Sequence, residues 1–406
     1  VEIKNRGITK MLPFEKIEYQ ERLRKVKASM EEQGIEVLLM TDPANMNYVS
    51  GYDAMSYYVP QGVLVALGLD EPICIIRMQD LYCATETTWM SRENVIPYPD
   101  KYLWEPKQLH VMDFIGEFLK EKGFHNKKIG LEFDAYFFNA HWNKKIESSL
   151  PDATLIDATG LVNWVRSQKS TKEIEYMEIA ARIAEKTMYN AIGNIGVGVR
   201  ESHVAAEIFS DLVKGTDDYG GEYPSLAPIM PAGDRTAGAH FSWTTEGKYQ
   251  ENQLMYMELS GSYKRYHAPL TRTIFIGDPP DKVKDTAKIV IEGLNVALST
   301  IKPGVSCEEV EKAWQTTINK YGLEKESRMG YTVGLSYPPV WTENTAYFRP
   351  GEKTILKPNM TFHIMPGMWL DGYGVAITET LKVTKNGCET ITNFPRELFV
   401  KQSHLV

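Results

Sequence analysis

Apolar residues recur at helical spacing between residues 15 and 33, at Ile17, Leu23, Val26 and Met30. The run stops at Gly34, a residue type suited to a helix C-terminus. Next comes IEVLLM, a continuous apolar segment of strand length, and GVLVAL, PICIIR, KIGLEF and ATLIDA read as further strands. A helical pattern occupies residues 108 to 122. Strands interleaved with helices predict a layered α/β domain, bounded here at residues 1–163.

The polar segment SQKST then introduces a long amphipathic helix carrying Ile174, Met177, Ala181, Ala184 and Met188, which opens a second domain, residues 164–406. Further helices are predicted near 201–214, 281–300 and 306–321. The last begins with Ser306 and Glu309 at the spacing of a capping box. Late strands are predicted at QLMYMELSG, TRTIFIG, MTFHIMPG and AITETLKVT. Long helices over a curved antiparallel sheet make this an α+β domain.

Composition narrows the class. The 406 residues exceed one ordinary core, 43% hydrophobic and 24% charged residues are globular values, and 11% aromatics suit an apolar pocket. A net charge of -8 with scattered Lys and Arg offers no basic stripe for a phosphate backbone and no polybasic patch for lipid, so neither nucleic acid nor a membrane is expected as a partner. Cys74, Cys83, Cys307 and Cys388 lack metal-site or disulfide-framework spacing, which fits a reducing cytoplasm. VEIKNRGITK has no apolar signal core, and no targeting segment is expected.

Candidate chemistry gathers beside the late strands, in GAHFSWTT with His240 and Trp243, MELSG with Glu258, GYTVGLSYPP with Tyr331 and Tyr337, and AITETL with Glu379. Glu258 stands among Met255, Met257 and Leu259, and Glu379 between Ile377 and Leu381, so each would face solvent or line a pocket. Taken alone, either glutamate reads most simply as an outward-facing strand residue. His267 and His363 flank the same strands and are open to a pocket role or a structural one.

Together, KSTKEIEYM at 169–177, the late strand pattern and the smaller α/β domain resemble the creatinase, prolidase and aminopeptidase P family of pita-bread proteins. The resemblance implies an α/β N-terminal domain followed by an α+β pita-bread catalytic domain. In metal-dependent members two aspartates, a histidine and two glutamates hold paired divalent ions. Carried over by resemblance, those positions match Glu258, Pro269, Tyr331, Met365 and Glu379. Proline offers no side-chain donor, a thioether suits hard cations poorly, and tyrosine is a weak substitute for histidine. A site without metal or other cofactor is expected.

TDPANMNYVSGYDAMSYYVPQ, MELSGSYKRYHAPLTRT, GYTVGLSYPPVWTENT and MTFHIMPGMW resemble the ectoine hydrolases within that family. The resemblance implies metal-independent opening of a cyclic amidine to N-acetyl-2,4-diaminobutyrate. Glu258 would be base or nucleophile, His240 the proton carrier and Glu379 the holder of the ring nitrogens. Tyr52, Tyr58, Trp243, His267, Tyr331, Tyr337 and Met365 would contact substrate, although Tyr52 and Tyr58 read equally well as core or surface tyrosines. A homodimer is implied by resemblance alone. Alternatives are a creatinase-like amidinohydrolase, then an X-Pro metallopeptidase, then a binding module without catalysis.

Overall fold

A computed structural model describes residues 12–104 and 108–402. The stretch read as free of a targeting signal, VEIKNRGITK, lies outside them. The chain divides into two compact units, Val1–Arg166 and Ser167–Val406. The division falls just beyond the predicted residue 163, because the short helix Leu161–Val165 packs on the helix Lys16–Glu32 and Arg166 Nε donates to Asn45 Oδ1 at 2.9 Å.

In the first unit β1 (Val37–Met40), β2 (Gly62–Ala66), β3 (Ile73–Arg77), β4 (Val95–Tyr98), β5 (Lys128–Leu131) and β6 (Thr154–Asp157) form one six-stranded sheet ordered β4-β3-β2-β1-β5-β6. β1 pairs antiparallel with β2 and parallel with β5, so the sheet is mixed. Val37 and Leu39, two apart and hence on one face, join a core with Ile115, Leu119, Trp142 and Ile146 from the helices Val111–Glu121 and Ala140–Ser149. The predicted strands all form. β4, which contains Pro97, is the addition, and it is an edge strand, where a missing N–H is tolerated.

The second unit opens with the helix Thr171–Asn194, capped by Ser170 and Glu173 as the SQKST signal suggested. It lies across the hairpin of β7 (Gln253–Tyr263) and β8 (Tyr266–Ile276), register Glu258↔Thr271. Gly261 permits that approach, since a Cβ there would stand 2.0 Å from the Ala180 carbonyl oxygen. β9 (Gly330–Val333), β10 (Thr342–Phe348) and β11 (Thr361–Ile364) follow, then the ribbon of β12 (Gly367–Leu370) and β13 (Tyr373–Ala376), then β14 (Glu379–Val383), β15 (Cys388–Thr390) and β16 (Phe399–Lys401). They arrange as β10-β9-β11-β14-β15, β12-β13 and β16-β8-β7.

Helices Asp281–Thr300 and Cys307–Asn319 cover one side of the five-stranded sheet, burying Val290, Leu294 and Trp314 against Phe348, Phe362, Ile364 and Leu381. Alternation along β11 then turns His363 to the opposite face. That helix-free face carries the candidate chemistry.

Candidate active site

Glu258 sits midway along β7 and alternates with Met257 and Leu259, which are buried on the face toward the helix Thr171–Asn194. Its carboxylate therefore points to the other face and remains partly exposed. Backbone bonds of 2.9 Å in both directions with Ile229 pin the strand edge at this residue. Surrounding protein raises its pKa to about 7, because burial disfavours the charge more than a hydrogen bond from Thr271 and the field of Lys325 restore it.

A directed chain of hydrogen bonds ends on this carboxylate. The Trp341 indole N–H can only donate, and it does so to the Tyr331 hydroxyl at 2.7 Å. Tyr331 then gives its own proton to His363 Nδ1 at 2.9 Å, which leaves the ring hydrogen on Nε2, 2.8 Å from Thr378 Oγ1. Thr378 Oγ1 also accepts the Thr271 N–H at 2.8 Å, so its hydrogen goes to Thr271 Oγ1 at 2.9 Å. Thr271 finally donates to Glu258 Oε2 at 3.1 Å. Every hydrogen in the chain points toward the carboxylate, because the Trp341 N–H at its start can only donate. Burial pushes His363 down to about 3, which keeps the imidazole neutral as this tautomer requires, and burial raises the Tyr331 phenol so that it stays protonated.

Lys325 brings a cation to this face. Lys325 Nζ donates to the carbonyls of Met365 and Gly367, both at 3.0 Å, and lies 4.6 Å from the centre of the Trp369 ring. Burial drives it down to about 7 while the Glu258 carboxylate opposes that fall.

These residues do not fit a pair of hard divalent ions. At the positions where the resemblance placed ligands, Glu258 alone offers an anionic oxygen toward the site, Tyr331 is committed to Trp341 and His363, and an ammonium contacts Met365. Among the described residues no cluster of three or more His, Cys, Asp or Glu side chains is arranged to hold a metal ion.

The structure corrects several sequence-based assignments. Glu379 turns away from Glu258: its Oε1 accepts from Arg272 at 2.7 Å and Arg396 at 3.0 Å, and its Oε2 accepts from Thr392. It shares the parity of Ile377 and Leu381, both in the helix-covered core, so Thr378 takes the place beside Thr271. His267 is a structural residue; Nε2 accepts the Ser225 N–H at 3.0 Å and Nδ1 donates to the Arg265 carbonyl at 2.9 Å, which uses both ring nitrogens. Trp243 packs edge-on against Phe209 of the helix Glu201–Lys214, with ring centres 6.0 Å apart. Tyr52 is buried within the first unit with its hydroxyl donating to Gln61 Oε1 at 3.1 Å, a core position.

Other residues keep an open or supporting place. Tyr58 is exposed on the first unit. Tyr337 is buried, with the Arg265 guanidinium 5.2 Å from its ring centre. Met365 takes part through its carbonyl, not its thioether. His240 is exposed on a turn whose next residue, Phe241, accepts the Met230 N–H at 3.2 Å, next to the Ile229 segment that pairs with Glu258. A surface cavity of about 720 Å³ near Arg235, Gln253, Lys282 and Tyr373 is lined by neither Glu258 nor His363.

Thr271, Thr378 and Lys325 were not singled out as site residues from sequence. Strand parity carries a signal for the threonines, since 378 alternates with the apolar 377 and 379 precedes 381. Lys325 lies in a charged stretch, EKESR, that reads as a solvated loop.

Comparison with known proteins identifies the fold and the family. The pattern of the Creatinase/Prolidase N-terminal domain matches residues 22–168, and that of Metallopeptidase family M24 matches residues 175–385. The ectoine hydrolase of Halomonas elongata is 39% identical over 398 residues, 96% of this chain and 99% of that protein. The Xaa-Pro dipeptidase of Pyrococcus furiosus is 28% identical over 382 residues, 93% of this chain and 99% of that one. A solved prolidase of Thermococcus sibiricus superposes with a TM-score of 0.81 at 23% identity, covering 94% of this chain and 99% of its own, which establishes the shared pita-bread fold. Matched over both of its units, the chain belongs to Metallopeptidase family M24, with a creatinase/prolidase N-terminal domain in front, and is a hydrolase of carbon–nitrogen bonds.

Proposed function

We propose that this hydrolase opens a small cyclic amidine of the ectoine type to N-acetyl-2,4-diaminobutyrate, in osmolyte degradation, without a divalent ion. The observation that carries the reading is Glu258, a partly open carboxylate raised to about 7 and held at one oxygen only, in a centre whose other donors do not suit hard cations. Similarity to the Halomonas elongata protein over 96% of the chain supports the choice of substrate class.

An amidinium N–H pairs well with a carboxylate through a charge-assisted bond. Glu258 either takes a proton from water as its oxygen adds to the amidine carbon or adds to that carbon itself, with water releasing the product afterwards. In both cases one proton must reach the nitrogen whose bond to that carbon breaks. His240, exposed on the turn near the β7 edge, is the proposed carrier. Thr271, Thr378, His363 and Tyr331 hold the carboxylate in place. The proposal extends to a cytoplasmic homodimer, to be checked by light scattering. No helix among the described residues is long and apolar enough to cross a membrane.

The test is to incubate purified protein, with chelator present, with ectoine, creatine and an X-Pro dipeptide in separate reactions and to identify products by mass. Acetylated diaminobutyrate from ectoine alone is expected. Dipeptide cleavage that requires added manganese or zinc would overturn the reading, and turnover of none of the three would favour a binding protein.

A further inference from the structure

Lys325 is an unusual cation. A partly buried ammonium ordinarily has a carboxylate in contact, because leaving water without a counter-charge is costly. Among the described residues Lys325 has no such contact; the Met365 and Gly367 carbonyls take two of its N–H groups and the Trp369 ring face lies against it. The third N–H has no acceptor among the described residues.

Its location follows from the sheet. Trp369 Nε1 lies 3.3 Å from the Tyr256 hydroxyl. Tyr256 stands two residues from Glu258 on the same face of β7, a spacing of about 7 Å along a strand. The ammonium is therefore anchored on the face where Glu258 opens, and each group feels the other's field. The other groups nearby do not compete for it. Arg328 stacks 4.9 Å from the ring centres of Tyr331 and Tyr347, Glu324 and Glu326 are exposed on its own segment, and the buried His363 and Tyr331 are uncharged.

Addition to an amidine carbon concentrates electron density at the reacting centre and on the carboxylate that drives it. Fixed positive charge in a water-poor site is an effective stabiliser of such a state, since it needs no reorganisation as the charge develops. We infer that Lys325 is the resident cation of this centre: its carbonyl-anchored ammonium holds Glu258 in its ionised, working form and stabilises the charge that builds beside it. The inference rests on the proposed role of Glu258. It makes Lys325 a positioning residue that acts through that carboxylate.

The experiment compares wild type, Lys325→Met and Lys325→Arg in two assays, with thermal melting as the folding control. Ectoine turnover is followed in the first. In the second, a water-soluble carbodiimide with glycine methyl ester labels protonated Glu258 as a function of pH, read by peptide mass mapping. Lys325→Met is expected to lower kcat about a hundredfold or more with a smaller change in KM, and to shift the labelling midpoint to higher pH. Lys325→Arg, which keeps the charge, should restore much of kcat and return the midpoint toward wild type. Wild-type kcat together with an unmoved midpoint in Lys325→Met would overturn the inference. If wild type fails to act on ectoine, the functional reading falls separately, and the labelling midpoint still decides whether Lys325 governs Glu258.

Discussion

Thr378 and Glu379 are neighbours in the chain and face opposite sides of the sheet. Thr378 Oγ1 meets Thr271 Oγ1 at 2.9 Å, in the chain that ends on Glu258, whereas Glu379 Oε1 meets the Arg272 guanidinium at 2.7 Å. One residue of register thus separates the reacting face from a buried ion-pair network.

Glu379→Gln should act on stability and not on chemistry. Glu379 and Arg272 are both fully buried, and loss of the negative partner leaves a buried cation whose remaining direct contacts are backbone carbonyls. Urea unfolding should show a loss of about 3–5 kcal/mol. Turnover per folded molecule should stay within about twofold of wild type.

Glu258→Gln should remove activity, by about a thousandfold if the carboxylate works as base. In wild type the ionised carboxylate and the charged Lys325 ammonium are both required, so kcat/KM should rise as Glu258 ionises and fall as Lys325 loses its proton, a bell centred near 7, where burial places both groups. Stability runs the other way. A carboxyl raised in the folded state binds its proton more tightly there than when unfolded, so its contribution is full below the unfolded pKa and is lost as pH rises toward 7. Relative to wild type, Glu258→Gln should therefore gain stability between pH 4 and pH 8, by at most about 3 kcal/mol. Thermal melts of both proteins at the two pH values check the sign.

Tyr331→Phe should break the chain at its second link. The ring remains, but the Trp341 N–H loses its acceptor and His363 Nδ1 loses its donor. A cost of about 1–3 kcal/mol is expected for the buried groups left unpaired. His363 can then adopt either tautomer, so kcat should fall while KM changes less. Combining Tyr331→Phe with Thr378→Val should cost less than the two single changes added, because both disturb one network.

Prolonged dialysis against a strong chelator should leave turnover unchanged, and added zinc or manganese should not raise it. Elemental analysis of the dialysed protein, taken with the rate, provides the check. A rate that disappears with the metal and returns with it would show that the donor set has been misjudged.

Much of the architecture was legible in order along the chain. The helices at 201–214 and 281–300 lie where they were predicted, and the capping box of Ser306 and Glu309 forms, with the Ser306 N–H and hydroxyl both donating to Glu309 Oε2 at 2.7 Å. Less legible were β9, whose partner β11 lies well down the chain, and β12 and β13, the arms of a tight hairpin whose four-residue strands carry no sustained apolar run. At the site, Glu258 and Tyr331 became candidates through the family resemblance, because alone the glutamate reads as an outward-facing strand residue.

Local sequence determined which segments become helices and strands, where the chain divides, and that Pro269, Tyr331 and Met365 stand where the family resemblance would need metal donors. Those outcomes depend on side-chain period, capping and residue chemistry, all of which act over a few residues. Tertiary structure decided that Glu379 belongs to the ion pairs behind the sheet, that His267 is consumed by the Ser225 N–H and the Arg265 carbonyl, and that Lys325 comes to Glu258 from a charged loop. The reason is geometric: a side chain's face is fixed by strand register, and its partners by strands and loops up to more than a hundred residues away, as Thr271 and Thr378 illustrate across |i−j| = 107.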